Sequence, residues 1–238
     1  MLSIKKILYF ALVLCAFYSC DDPAPCSGWS PIDPNFKCQP VTGTFTDTRD
    51  GTVYETVTIC NQTWMAEHLT YDTPDTLEFV LSDSMGNTAT IPGYDTILEG
   101  KHRYNYASAQ YACPSGWHLP SGDEWNILEI NLGMNPQDTI DYPFFNRACG
   151  LAPIFMSTTG WKGAGTNTSK FNLPGPYIDA LWVAGAFYDF HYDTEFNQLH
   201  ISPSYRRYDW DSLRIRHSPM NNIVEFYKSS CCIRCIKD

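Results

Sequence analysis

Residues 113–125 read Cys113-Pro-Ser-Gly-Trp-His-Leu-Pro120-Ser-Gly-Asp-Glu124-Trp125 and place a turn directly before a helix. Ser121 and Glu124 have the spacing of a capping box, in which the hydroxyl accepts from the Glu124 N–H and the carboxylate accepts from the Ser121 N–H. Apolar residues continue at helical spacing as far as Gly133, which is suited to end a helix. The stretch therefore predicts a short helix that begins after Ser121.

The neighbouring segments predict a mixture of short helices and strands. Residues 104–112 suit a short helix that the following proline ends, and residues 53–59 are β-branched and alternate as a strand does. Residues 74–100 are rich in Asp, Thr and Gly and predict an insertion with a hairpin or a long loop. Beyond Gly150 the chain predicts loops and short strands, with a final strand over Ile223–Ile236.

The N-terminus has the pattern of an export signal. Lys5 and Lys6 precede an apolar run that ends at Phe17. This run has signal-peptide length and is shorter than the roughly 20 residues that span a bilayer. Ser19-Cys20 follows, and then an acidic, Pro-rich segment.

This junction resembles the lipobox of bacterial lipoproteins, in which the cysteine is acylated and becomes the new N-terminus. The resemblance implies a signal peptide over residues 1–19, lipidation at Cys20 and a tether over residues 20–43. The acidic pair after Cys20 resembles the surface-export signal of Bacteroidetes lipoproteins. We therefore expect an outer-membrane lipoprotein exposed at the cell surface and anchored through its lipid.

Charge excludes one class of partner. Removing residues 1–19 takes away Lys5 and Lys6, so the formal net charge changes from −10 to −12. Nucleic-acid binding needs a basic face to neutralise phosphates, so nucleic acid is not an expected partner. Aromatic residues make up 15% of the chain and supply material for a substantial core.

Cysteine usage predicts disulfides. Of ten cysteines, Cys15 leaves with the signal peptide and Cys20 goes to lipid. An even number in the exported part of a chain favours disulfide bonds, although sequence alone leaves most of the pairing open. Cys26 and Cys38 are placed to close a small loop within the tether. The exported cysteines are Cys26, Cys38, Cys60, Cys113, Cys149, Cys231, Cys232 and Cys235.

An ordered series of motifs spans the rest of the chain. It resembles the major paralogous domain of Fibrobacter succinogenes, which is common in Bacteroidetes lipoproteins, and the resemblance covers residues 44–238. Cys60 and Lys170 depart from it, because the family usually has glycine at both positions. The motifs are Asp50-Gly51-x-x-Tyr54, Gln62-x-Trp64-Met65-Ala66-Glu67, Tyr104-Asn105-Tyr106, the block from Cys113 to Trp125, and Ile233-Arg234-Cys235-Ile236-Lys237-Asp238.

The order helix, cysteine, strand, helix is also similar to the core of C-type lectin-like domains and of sulfatase-modifying enzymes. This similarity implies an α+β, C-type lectin-like fold with two short helices, small twisted antiparallel sheets and long loops. It also implies a disulfide between Cys113 and Cys235.

Strand periodicity separates the two adjacent cysteines near the C-terminus. Side chains alternate with period two, so Cys231 and Cys232 face opposite sides of a final strand and need different partners. Cys60 and Cys149 remain as candidates. In a lectin-like fold the first and last strands pair, which favours Cys60 as the partner of one of them.

Reactive chemistry is not predicted. Cys232-Ile-Arg-Cys235 has C-x-x-C spacing, but it lies in the predicted final strand and not before a helix, as a thioredoxin-type motif does. Zinc needs further ligands, and the six histidines show no matching spacing. The tripeptides of calcium-dependent lectins are missing, and the acids around His191 and Trp210 are typical of solvated loops. We therefore expect no catalytic residue, metal or cofactor, and no enzyme.

Aromatic residues in the loop-rich second half are the candidates for binding. Such side chains stack on sugars or anchor a protein partner when exposed, although any single one is better explained as a core residue. We expect a non-catalytic lectin-like module that binds glycan or protein. The alternatives are a sulfatase-modifying-type, oxidase-like enzyme and a structural envelope or fimbria-associated subunit. The candidate ligand-binding residues are Trp161, Trp182, Tyr188 and Trp210.

Overall fold

The chain combines short helices with small antiparallel sheets, which confirms the predicted α+β class. Within the residues that are described, none of the helices is long and apolar enough to cross a membrane. The computed structural model describes residues 33, 35–74, 78–82, 88–98, 101–141, 146–147, 150–159, 165–174, 179–183, 191–193, 198–200, 204–209, 214–219 and 230–238.

A five-stranded antiparallel sheet joins the two ends of the domain. Its order is β1-β2-β3-β15-β8, so the last strand lies between the N-terminal meander and the strand that precedes the second helix. Ile236 pairs with Trp64 on one side and with His118 on the other. The strands are β1 Val41–Thr46, β2 Val53–Ile59, β3 Gln62–Met65, β8 Trp117–His118 and β15 Ile236–Lys237.

This sheet has a hydrophobic cluster on each face. Trp64 and Met65 are neighbours in β3 but belong to different clusters, as the alternation of side chains along a strand requires. Helix α1, Tyr106–Ala112, packs with Met65, and helix α2, Gly122–Asn131, packs with Trp64. The sheet is therefore covered by one helix on each side.

Local sequence signals set both helix starts. The Asn105 side chain caps α1 by accepting from the Ser108 N–H at 2.9 Å. Ser121 and Glu124 form the predicted capping box at the start of α2. Gly133 has φ +108 just after that helix, a backbone conformation that favours glycine.

The segment before β1 is bound to the domain, which corrects the predicted boundary at residue 44. The Asp33 N–H donates to the Gly133 carbonyl at 2.9 Å, and the Lys37 N–H donates to the Asn131 carbonyl at 3.2 Å. A Cβ at Gly133 would lie 2.1 Å from the Asp33 oxygen, so only glycine admits this approach. Sequence composition suggested a tether here because Pro and Asp are common both in linkers and in docked irregular segments.

The insertion over residues 74–100 contains strands, as predicted. One hairpin pairs β4 with β5, and the next pairs β6 with β7 in a register that places Leu98 opposite Lys101. The second hairpin leads directly into α1. The strands are β4 Glu78–Ser82, β5 Thr88–Pro92, β6 Asp95–Leu98 and β7 Lys101–Tyr104.

The described residues of the second half form short strands and two one-turn helices. A four-stranded sheet has the order β10-β13-β14-β9, and β11 pairs with β12. The elements are α3 Asp138–Asp141, β9 Asn146–Arg147, α4 Ala152–Phe155, β10 Asp179–Val183, β11 His191–Asp193, β12 Gln198–His200, β13 Ser204–Asp209 and β14 Arg214–Pro219.

The predicted final strand over Ile223–Ile236 is too long. Within residues 230–238 only Ile236–Lys237 form a strand, and Cys231 makes an isolated bridge to Tyr104. The backbone nevertheless runs extended enough to keep the predicted alternation. Cys231 and Cys235 lie in the cluster on the α1 side, whereas Cys232 lies in the cluster on the α2 side.

Candidate functional site

The Cys113–Cys235 disulfide that the resemblance implied is present. It joins the end of α1 to the residue before β15, with the two Cα atoms 5.8 Å apart. The bond closes a loop with a sequence separation of 122 residues. It therefore fixes the C-terminal segment against the helix that precedes β8.

A second disulfide joins Cys38 to Cys60, and it corrects two predictions. Cys38 is not paired with Cys26 inside a tether, and Cys60 is not the partner of Cys231 or Cys232. Cys60 lies in the tight turn between β2 and β3, and the docked segment before β1 brings Cys38 to it. Sequence reasoning missed the pair because the segment was assigned to the tether.

The remaining cysteine predictions stay open. Cys231 and Cys232 are both buried, on opposite sides of the central sheet. Cys26 and Cys149 lie outside the described residues, as does the lipidation candidate Cys20.

One histidine is held between two carboxylates at the end of the central sheet. The His118 Nδ1 atom lies 2.6 Å from Oδ1 of Asp238, and its Nε2 atom lies 2.8 Å from Oε1 of Glu124. Glu124 also accepts from the backbone N–H and the hydroxyl of Ser121. We call His118, Glu124 and Asp238 the His118 clamp, because they connect β8, the start of α2 and the C-terminus.

Electrostatics favour the charged forms of His118 and Glu124, whose side chains are both partly exposed. Burial alone would lower the pKa of His118, but hydrogen bonds to Asp238 and Glu124 outweigh it and raise the pKa. Burial would raise the pKa of Glu124, but hydrogen bonds from Ser121 and His118 lower it. Both ring nitrogens donate in the charged form, so the ring offers no lone pair to a substrate and the clamp is structural.

Arg234, from the C-terminal family motif, braces a loop. Its side chain is fully buried, donates to the carbonyls of Phe171 and Asn172, and lies over the Phe171 ring at 4.7 Å. Three residues of that loop have left-handed backbones, with φ of 48, 60 and 55 at Asn167, Lys170 and Asn172. The buried guanidinium therefore satisfies carbonyls that this irregular loop turns inward.

A second histidine lies beside two carboxylates at the β6–β7 hairpin. The Nε2 atom of His102 is 3.2 Å from Oδ2 of Asp95 and 3.7 Å from Oδ1 of Asp72. Ligand atoms of all three residues lie within 4.8 Å of one another. We call Asp72, Asp95 and His102 the His102 cluster.

Neighbouring groups fix Asp95 and His102, the two less exposed members of this cluster. Asp95 Oδ2 accepts from the Thr73 N–H at 2.6 Å and from the Thr73 hydroxyl at 3.1 Å. The His102 ring stacks on Tyr104, with centroids 4.8 Å apart. Burial and nearby charges that include Asp95 and Asp72 raise the pKa of Tyr104, which donates its hydroxyl to the Tyr71 carbonyl.

Sequence analysis did not select the His102 cluster. Asp95 and His102 had a detectable signal, since alternation across the hairpin places both on one face. Asp72 had none, because it reaches the cluster from the irregular segment after β3. A search for histidine spacing alone overlooks a site that contains one histidine.

The predicted ligand-binding aromatics are placed only in part. Trp182 belongs to β10, where its backbone is opposite Tyr205. Trp161, Tyr188 and Trp210 lie outside the described residues. Their role in binding stays a prediction.

Comparison with known proteins gives one match. The model of the Fibrobacter succinogenes major domain matches residues 57–237, which is more than half of the 238 residues. No curated protein and no solved structure matches the chain. The matched range begins inside β2 and ends in β15, so it includes the central sheet except β1 and residues 53–56 of β2. The chain belongs to the Fibrobacter succinogenes major domain family.

Proposed function

We propose that this protein is a lipid-anchored cell-envelope protein whose domain is a non-catalytic module that binds glycan or protein at the cell surface. The observation that carries the proposal is the structural role of the side chains in the family motifs. Among the motif residues that are described, the distinctive side chains serve the scaffold. Trp64 and Trp125 are fully buried and pack 4.7 Å apart, and Arg234 braces a loop.

The polar motif residues support the same proposal. Glu124 caps α2, and Cys113 is held in a disulfide. His118 has a carboxylate at each ring nitrogen, so it is not arranged as a general base. Motif residues with these structural roles suit a module that binds its ligand through its loops.

A C-type lectin-like fold is part of this proposal. Its support is the order α1, Cys113, β8, α2, together with the Cys113–Cys235 disulfide. The position of β15 next to β3 also agrees with a fold in which the chain ends meet in one sheet. In such folds the long loops of the second half face the ligand, which is where the candidate aromatics lie.

The length of the segment between Cys20 and the domain limits how far the domain can lie from the membrane. Thirteen residue steps separate Cys20 from Asp33, the first described residue, which bonds to the domain. At about 3.5 Å per residue, a lipid at Cys20 keeps the domain within about 45 Å of its membrane. This short reach suits a module that acts close to the surface that carries it.

Lipid labelling in cells tests the anchor. With an alkyne fatty-acid analogue, we expect the wild-type protein and Cys15→Ala to label and to fractionate with the outer membrane. We expect Cys20→Ala to lose both properties, because acylation needs that thiol. Label that persists in Cys20→Ala would contradict the anchor, and protection from protease on intact cells would contradict surface exposure.

A glycan array tests the module. We expect binding that Trp182→Ala and Trp161→Ala weaken and that Tyr111→Ala leaves unchanged, since Tyr111 is a half-exposed aromatic on α1 and precedes the second half of the chain. A blank array would exclude glycan from the proposal and leave a surface protein as the ligand.

A further inference from the structure

We propose that Asp72, Asp95 and His102 form a binding site for a divalent transition-metal ion, for which Zn²⁺ is the probe. The three side chains come from the segment after β3 and from both strands of the β6–β7 hairpin. Their ligand atoms lie within 4.8 Å of one another. This inference is independent of the lipid anchor and of glycan binding.

The His102 ring nitrogen is the observation that points to a ligand. His102 is only 6% exposed, and its Nε2 atom has no hydrogen-bond partner. Asp95 Oδ2 is 3.2 Å away, but it is not aligned for a hydrogen bond. A buried polar nitrogen that lacks a partner is unfavourable, and a metal ion that accepts its lone pair removes that cost.

The distances suit one ion shared by all three side chains. Zn²⁺ binds imidazole nitrogen and carboxylate oxygen at about 2.0–2.2 Å, so tetrahedral ligand atoms are about 3.4 Å apart. The separations from His102 Nε2 are 3.2 Å to Asp95 and 3.7 Å to Asp72. The Asp72 side chain is 91% exposed and is therefore able to rotate toward the ion.

Neighbouring side chains orient Asp95 and His102. Thr73 donates its N–H and hydroxyl to Asp95 Oδ2, and the same hydroxyl lies 3.3 Å from Oγ of the buried Ser108. Stacking on Tyr104 holds the imidazole plane. Metal sites commonly fix their ligands with partners of this kind.

The donor set favours a first-row transition metal over Ca²⁺ and Mg²⁺. Imidazole suits Zn²⁺ and its neighbours, whereas Ca²⁺ and Mg²⁺ prefer sites made of oxygen alone. Three protein ligands are one fewer than a closed structural zinc site uses. A coordination position therefore stays open to water or to an acidic or hydroxyl group of a bound molecule.

Calorimetric titration of the tag-free protein with Zn²⁺ alone tests the site, after EDTA treatment and with the disulfides intact. We expect one strong site per chain. Asp72→Asn and His102→Gln should each weaken it by about 10-fold or more, and Thr73→Val by less, because Thr73 only orients a ligand. Glu78→Gln removes one exposed acid from another hairpin and should bind as the wild type does.

Three outcomes would overturn the proposal. They are no binding at about 1 mM Zn²⁺, binding that Asp72→Asn leaves unchanged, and Ca²⁺ binding of equal strength at this site. Far-UV circular dichroism checks the fold of each variant. If His102→Gln does not fold, Asp72→Asn still decides, because the exposed Asp72 side chain contributes little to the core.

Discussion

Two histidines of this protein each lie beside two carboxylates, yet the arrangements are opposite. In the His118 clamp, the two acids bond to different ring nitrogens, at 2.6 and 2.8 Å. In the His102 cluster, both acids approach the same nitrogen, at 3.2 and 3.7 Å, and neither makes a hydrogen bond to it. The His118 side chain is 41% exposed, whereas that of His102 is 6% exposed.

The difference shows that residue composition does not decide the role of such a group. One proton on each ring nitrogen satisfies two acids placed at opposite ends of the ring, and the result is a closed ion pair. One nitrogen carries at most one proton, so it cannot satisfy two acids that converge on it. A cation shared by nitrogen and oxygens satisfies all three, and this is why we place a metal at His102 and none at His118.

The largest effect we predict comes from breaking the covalent bond beside the His118 clamp. Cys113–Cys235 connects the same chain segments as the clamp, across a sequence separation of 122 residues. Replacing both cysteines by alanine should lower the free energy of unfolding by about 5 kcal/mol in the chain-entropy model. Chemical denaturation monitored by tryptophan fluorescence measures the loss.

The other disulfide is the matched control. Cys38–Cys60 has a separation of 22 residues, so the double alanine variant should lose about 3 kcal/mol. If the loss at Cys113–Cys235 is the smaller of the two, closing the long loop is not what stabilises the clamp side of the domain.

A smaller effect than loss of a disulfide is the pH dependence of stability that the His118 clamp contributes. The pKa of His118 is raised, so its contribution to the free energy of unfolding is complete below about pH 6.5 and is lost as pH rises through the folded-state pKa. The pKa of Glu124 is lowered, so its contribution to the free energy of unfolding is present above about pH 4.5 and is lost as pH falls through the folded-state pKa. The clamp therefore stabilises most between these limits.

Denaturation curves across pH, paired with NMR titration of the His118 ring, measure this window. His118→Gln should flatten the change in unfolding free energy above pH 6.5, by less than about 1 kcal/mol because the pair is partly exposed. A His118 pKa at or below 6.5 in the folded protein would show that the carboxylates do not hold the charged ring.

Sequence patterns predicted the helix starts, strands and turns that depend on residues close together in the sequence. The Ser121–Glu124 box, the strand over residues 53–59 and the turn at Gly133 depend on neighbours in sequence, and all three are present. The Cys38–Cys60 bond and the His102 cluster depend on segments that meet only after folding. No periodicity in the sequence reports such meetings, so these contacts were missed or assigned to other partners.

The two departures from family glycines show a further limit. Cys60 and Lys170 stand where the family usually has glycine, and side chains disfavour left-handed backbone. The structure keeps the left-handed conformation at both, with φ of 55 and 60. At Cys60 the disulfide to Cys38 supports the turn, and at Lys170 the buried Arg234 holds the adjacent loop carbonyls. Tertiary contacts therefore maintain a backbone that residue type alone does not favour.

The smallest effect we predict is at Asp72, and it decides whether the two histidine sites differ. In EDTA, Asp72→Asn should change the free energy of unfolding by less than about 0.5 kcal/mol, because its carboxylate is 91% exposed and makes no hydrogen bond to His102. With Zn²⁺ at about 100 times its Kd, the wild type should gain about 2.7 kcal/mol by mass action, and the variant much less. Thermal denaturation with and without Zn²⁺ measures both. A loss above about 1 kcal/mol in EDTA would mean that Asp72 already stabilises His102 without metal, and the cluster would then be a second clamp.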